Sequence, residues 1–259
     1  MLFYFDPRYL LFVLVPTLII SAAVQWYLKA TFNKWRQIRN SAGLTGAQIA
    51  DELFARAADL PRAEIGRTGE TGARGGRPGR PSRPLLQRIP IQRSTAGELS
   101  DHFDPKANVV RLSNAIATQP SVAAMAVVAH ELGHVQQQQW RSPLMVTRDF
   151  LVPALRFSPT LSYILIFAGL IFSSSGLLWL GVAFFGLVVL FAIFTLPVEF
   201  DASRRGLRLL RETGLMQTEQ DAIGARAVLT AAALTYVGAA ATAILQLLYF
   251  VMLAGGRRD

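Results

Sequence analysis

The chain has 259 residues, no cysteine and a formal charge of +9, with 52% of its residues hydrophobic and only 17% charged; its mean hydropathy is +0.34. Soluble domains carry about a quarter charged residues, so an ordinary soluble globule is a poor fit, and the lack of cysteine excludes both a disulfide framework and thiolate metal ligands. The basic balance does not indicate nucleic acid: between Arg62 and Arg93 eight arginines accompany two acids and carry +6 of the charge, which suits a solvated stretch near anionic lipid headgroups better than a folded basic face.

The first apolar run, Tyr9 to Leu28, is long enough to cross a bilayer. It has no basic segment before it and ends in Trp26-Tyr27-Leu28-Lys29, an aromatic belt followed by a cation. Residues 1–28 are therefore expected to be an uncleaved membrane anchor, with Pro16 able to kink it. Lys29, Lys34, Arg36 and Arg39 follow and place residues 29–150 on the cytoplasmic side. Within that region Ser41 to Leu60 reads as an amphipathic helix, with Thr45 as N-cap and Ile49, Leu53 and Ala57 four residues apart. An Arg/Gly/Pro insertion at about 66–84 has no apolar period and is expected to be disordered.

Two extended pieces around Asp104-Pro105-Lys106-Ala107-Asn108 predict a small β-hairpin. A helix is expected from about Pro120 to Trp140, with the proline in its first turn. Residues 151–198 read as a transmembrane hairpin broken at Ser173-Ser174-Ser175-Gly176. Residues 199–227 are expected to form a charged cytoplasmic helix opened by Glu199 and bearing Arg204, Arg205, Arg208 and Arg211, and 228–259 contain a last span. The fold class is thus a mainly α integral membrane protein with about four transmembrane helices, a cytoplasmic helix and a small hairpin.

That cytoplasmic helix contains Ala129-His130-Glu131-Leu132-Gly133-His134, the pattern H-E-x-x-H. Residues i and i+4 share one helix face, so two imidazoles there can converge on one tetrahedral zinc. The intervening Glu131 is placed to take a proton from an attacking water. Two of the three histidines in the chain fall in this motif. Gly133 lets another element approach the helix closely. Catalytic zinc needs a third protein ligand, and Glu199 and Asp201 are the candidates. An ordinary solvated acid at a helix start is the plainer reading of either.

The chain resembles the YugP-type membrane zinc peptidases. The likeness rests on the Phe3-Tyr4-Phe5-Asp6-Pro7 opening, Gly43-Leu44-Thr45-Gly46-Ala47, the Gly97 to Pro105 turn, the Ala129 to His134 motif and Leu196 to Arg205. It is more distantly similar to heat-shock-type and CAAX-prenyl membrane endopeptidases, which place a membrane hairpin between the histidine helix and a Glu-x-x-Ala-Asp helix. The resemblance implies a gluzincin-like site with one zinc ion per chain, in which Glu199 is the third ligand. Ser203 stands where those relatives have aspartate, leaving Ser203 or Asp201 to orient a ligand. The insertion around Arg67 to Pro84 departs from the compact family pattern.

His102 lies in the hairpin that matches the relatives' substrate-aligning edge strand and is a candidate to stabilise the tetrahedral intermediate. An exposed strand histidine is its plainer reading. Tyr236 in the last span is a weaker candidate for the same role. The expected activity is zinc-assisted peptide hydrolysis in the cell membrane, with the site on the cytoplasmic side, a polypeptide substrate and no nucleic acid. A non-catalytic zinc-binding scaffold or adaptor is the alternative. A transporter is disfavoured because the histidine pair lies outside the apolar spans.

Overall fold

The computed structural model describes residues 6–60, 85–97 and 100–256; the insertion expected at about 66–84 falls outside them. In chain order the elements are α1 (Pro7–Tyr9), a π-helical turn (Leu10–Leu14), α2 (Val15–Arg36), α3 (Gly46–Asp59), β1 (Ile91–Arg93), β2 (His102–Asp104), β3 (Val109–Leu112), α4 (Asn114–Thr118), α5 (Val122–Gln139), α6 (Pro143–Leu155), α7 (Ser158–Ile171), α8 (Ser175–Glu212) and α9 (Glu219–Gly255). They form two compact units. The first comprises Met1–Trp35, Arg141–Asp201 and Arg226–Asp259, and the second Arg36–Trp140 and Ala202–Ala225.

The first unit contains most of each candidate span. Pro7–Arg36, Ser175–Glu212 and Glu219–Gly255 are long and apolar enough to cross a bilayer, and α6 with α7, bent by 45°, makes a fourth if the pair is one span. The mainly α membrane class is thus as expected. Its apolar cluster joins Val13, Ile166, Leu178, Val182, Phe185, Val189, Tyr249, Phe250 and Ala254, with Phe185 and Phe250 edge to face at 5.1 Å. Small residues let α7 and α8 approach: Ser162 Oγ donates to Gly181 O at 2.8 Å, and a Cβ on Gly181 would lie 2.5 Å from Ile166 Cγ1. Large side chains such as Phe12, Trp26, Phe150 and Phe172 remain exposed, an apolar surface of the kind a bilayer covers.

The element boundaries differ from the sequence reading in an informative way. The segment before the hairpin is already helical from Pro143 and bends only after Leu155. The charged stretch at Glu199 does not open a new helix, because α8 runs unbroken from Ser175 to Glu212. Pro197 lies inside α8 two residues before Glu199 without ending it, and Glu-Phe-Asp-Ala-Ser-Arg-Arg after it contains no further glycine or proline. At 1.5 Å per residue α8 is roughly 57 Å long, about twice the hydrocarbon thickness of a bilayer.

The second unit is built on α5, whose residues Val122 to Ala126, Val128, Ala129, Leu132 and Val135 are completely buried. Ser121 caps this helix by accepting from Ala124 N at 3.1 Å, so it starts after Pro120 rather than with it. The Pro120 carbonyl is instead spent on Asn40 N. α3 lies where the periodicity placed it, with a capping box between Thr45 and Gln48. Its face of Ile49, Leu53 and Ala57 is wholly buried, and each large aliphatic side chain there contributes about 1.5–3 kcal/mol.

The sheet order is β1-β3-β2. β2 pairs antiparallel to β3 in the register Phe103 to Val110, which is the expected hairpin. β1 pairs parallel to β3 and was not foreseen, since three residues are too few to display a period of two. The hairpin turn places Asn108 at φ +53, a left-handed position that asparagine tolerates. Asp104 accepts the Lys106 and Ala107 N–H groups and pairs with Arg111 at 2.6 Å. The Ala107 N–H and then Arg111 hold its carboxyl at about 2, below the usual 3.8. A depressed acid stabilises the fold above its unfolded pKa and loses that contribution as pH falls through the folded value. Protection of the Lys106 and Ala107 N–H groups from hydrogen exchange, relative to the intrinsic rate at each pH, should therefore fall between pH 4 and about 2, and Asp104→Asn should abolish that acid step.

Candidate metal centre

The α5 sequence dictates the centre's geometry. A helix buried on nearly every side can carry polar side chains only where each finds a partner. His130 and His134 share one face, with ring centroids 4.7 Å apart and planes at 84°. His134 Nδ1 lies 3.0 Å from Gln137 Oε1. An amide oxygen only accepts, so Nδ1 carries the proton and the lone pair is on Nε2, the atom a metal takes. His130 Nδ1 lies 3.1 Å from Ser203 Oγ, a hydroxyl able to accept from that nitrogen in the same tautomer.

Ser203 reaches His130 because α5 and the end of α8 approach without side chains between them. A Cβ on Gly133 would stand 2.2 Å from Ala202 O, and one on Gly206 would stand 2.5 Å from Ala129 O. The two contacts are reciprocal, each pairing a glycine with the residue four positions before the other glycine. The close approach inferred from Gly133 in the sequence is therefore to α8. Gly206, the other half of the device, was not foreseen.

Glu131 is 6% exposed, and its Oε2 accepts the Phe103 N–H at 2.7 Å. Phe103 N–H is directed away from β3, since Val110 N bonds instead to Pro90 O on the opposite side. The outer edge of β2 thus holds the motif glutamate in place. Asp101, two residues before Phe103, has its carboxyl pushed above the ordinary range by burial, against the lowering hydrogen bonds from Ser113 N and Oγ; the negative charge of Glu131 adds to the rise.

Glu199 is buried, at 4% exposure, on the same unbroken helix as Ser203 and one turn before it. At that spacing the two side chains share a helix face. Asp201 is half-buried and, two residues from Glu199, points roughly 200° around the helix. Ser203, one of the two residues considered for orienting a ligand, lies against His130. Glu199 Oε1 also lies 3.9 Å from Arg148 Nη1. The donor chemistry fits zinc: two imidazoles with their Nδ1 atoms engaged, and a buried carboxylate from the α8 turn beside Ser203.

His102 occupies the exposed face of β2, opposite in pleat to buried Phe103. Its Nδ1 is 2.8 Å from Ser100 O and its Nε2 is 3.5 Å from Arg111 Nη1. Tyr236 is partly exposed on α9. Sequence reasoning missed Gln137, Arg148 and the Phe103 N–H. Gln137 was findable, being three residues after His134 on the same face; the other two come from elements distant in sequence and left no local signal.

Comparison with known families matches residues 10–71 and 82–255 to the family described as "Putative neutral zinc metallopeptidase". The gap between the two matched segments falls inside the Arg/Gly/Pro insertion. The "Putative membrane protease YugP" of Bacillus subtilis (strain 168) is 32% identical over 249 residues, 96% of this chain and 98% of that relative. No solved structure matches the chain. With the family match covering residues of both units and the Bacillus relative 32% identical over 96% of the chain, the chain belongs to the family described as "Putative neutral zinc metallopeptidase".

Proposed function

We propose that the protein is a membrane zinc endopeptidase in which His130, His134 and Glu199 hold one zinc ion and Glu131 is the general base. Zinc, when bound, acidifies a water molecule and polarises the scissile carbonyl. Glu131 takes the proton of the attacking water on its carboxylate and returns it to the nitrogen of the leaving amine. Phe103 N–H orients that carboxylate, while Ser203 and Gln137 hold the imidazoles in register. The observation that carries the reading is this pair of Nδ1 contacts, because a metal-binding histidine characteristically gives its other ring nitrogen to such a partner.

The site faces the cytoplasm in this reading, supported by the cations that follow the first span at Lys29, Lys34, Arg36 and Arg39. Its substrates are polypeptide segments presented at or near the bilayer surface. The test is zinc content by mass spectrometry and cleavage of fluorescein-labelled casein by the detergent-purified chain. Wild type is expected to bind one zinc and lose both zinc and cleavage to a chelator. His130→Ala, His134→Ala and Glu199→Ala should each lose zinc. A wild type that binds no zinc overturns the proposal, and one that binds zinc but cleaves no protein favours the scaffold alternative.

A further inference from the structure

Peptide hydrolysis leaves negative charge on the former carbonyl oxygen, and a site needs a donor or cation there besides its general base. His102 and Tyr236 are the residues nominated for this task from the sequence. His102 is on the exposed face of β2, tied to Ser100 O and Arg111, and Tyr236 is partly exposed on α9.

Arg148 meets the requirement. It lies on α6, the helix that follows the motif helix, and its side chain is 19% exposed. Its Nε and Nη2 face Asp149 Oδ1 at 3.3 and 3.2 Å. That fork sets the guanidinium plane and leaves Nη1 toward Glu199 Oε1 at 3.9 Å. This separation is close enough for electrostatic attraction and too long for a hydrogen bond, so Nη1 is held at the carboxylate without being spent on it. A largely buried arginine on an apolar helix is costly to keep. Val146 and Phe150, its neighbours on α6, are exposed, so the helix offers its apolar residues outward while the cation turns toward Glu199.

We propose that Arg148 is a catalytic residue: its Nη1 donates to the carbonyl oxygen of the scissile peptide as charge develops there. The assignment rests on the reading of Glu199 as a zinc ligand, which places Nη1 beside the metal position. No proton leaves the guanidinium. It donates a hydrogen bond that strengthens as the carbonyl C–O bond becomes single, and relaxes when the tetrahedral centre collapses and the amine departs.

The test compares full-length wild type, Arg148→Gln and Arg148→Lys in nanodiscs, with three readouts. These are zinc affinity by chelator competition, the maximal rate and half-saturating concentration for fluorescein-casein, and the affinity of a phosphinic dipeptide that mimics the tetrahedral centre. Arg148→Gln should keep zinc affinity within about threefold and lose about 10²- to 10³-fold in maximal rate. The half-saturating casein concentration should change little, and the phosphinic dipeptide should weaken in parallel with the rate. Arg148→Lys should recover part of both losses, and it carries the test alone if the glutamine variant does not fold. A rate within threefold of wild type in Arg148→Gln, or a rate loss tracked by weakened zinc binding with no separate loss of phosphinic dipeptide affinity, overturns the assignment. A wild type that binds no zinc overturns the underlying peptidase reading instead, so the two failures are distinguishable.

Discussion

Glu131→Gln is expected to abolish most peptide cleavage while leaving the zinc in place. Glutamine has the shape of glutamate, and its amide oxygen can still accept the Phe103 N–H that now lies 2.7 Å from Oε2. The orienting contact and the packing of α5 should therefore survive. The variant loses only the capacity to take a proton. Removing a positioned general base costs about 10²- to 10⁴-fold, or about 3–5 kcal/mol of transition-state stabilisation. The measurement is casein cleavage beside zinc content. Cleavage above a tenth of wild type, with zinc bound, would mean that some other group removes the proton.

Gly133→Ala is expected to damage stability and metal binding together, although alanine is the better helix former by about 1 kcal/mol. The added Cβ would meet Ala202 O at 2.2 Å. The obstacle is backbone, with no flexible side chain to swing aside, so α5 and α8 must separate. Overpacking of this kind costs about 1–3 kcal/mol, which outweighs the propensity gain. Separation also pulls Ser203 from His130 Nδ1, now 3.1 Å away, and loss of such a partner costs about 10- to 100-fold in metal affinity. Gly186→Ala, on α8 with nothing within 4 Å of its added Cβ, is the matched control and should be neutral or slightly stabilising. Thermal unfolding and chelator competition on both variants check the prediction. Equal behaviour of the two would remove the case for a glycine-mediated contact.

Much of this protein was legible in one dimension because the signals are local and periodic. Twenty apolar residues in a row can cross a bilayer whatever surrounds them, and an N-cap three residues ahead of its partner amide works without tertiary help; hence the first span and the Thr45 cap of α3 emerged as read. The i, i+4 spacing likewise put His130 and His134 on one face before any fold was known. Boundaries were less legible. A switch from apolar to charged residues just after Pro197 suggested a new helix, yet α8 continues through both to Glu212.

The chemistry available to the chain follows from its residue types and spacing: an H-E-x-x-H helix, apolar spans, a hairpin, and no thiolates. Which groups serve that chemistry depends on contacts between segments far apart in sequence. Glu131 is held by the edge of β2, 28 residues upstream, and His130 is met by Ser203, 73 residues downstream. Arg148 stands beside Glu199 because α6 packs where it does. Periodicity specifies which face of an element is apolar, but not which distant element will cover it. That choice is made by close packing, here by Gly133 and Gly206, whose missing Cβ atoms admit the backbone of Ala202 and Ala129.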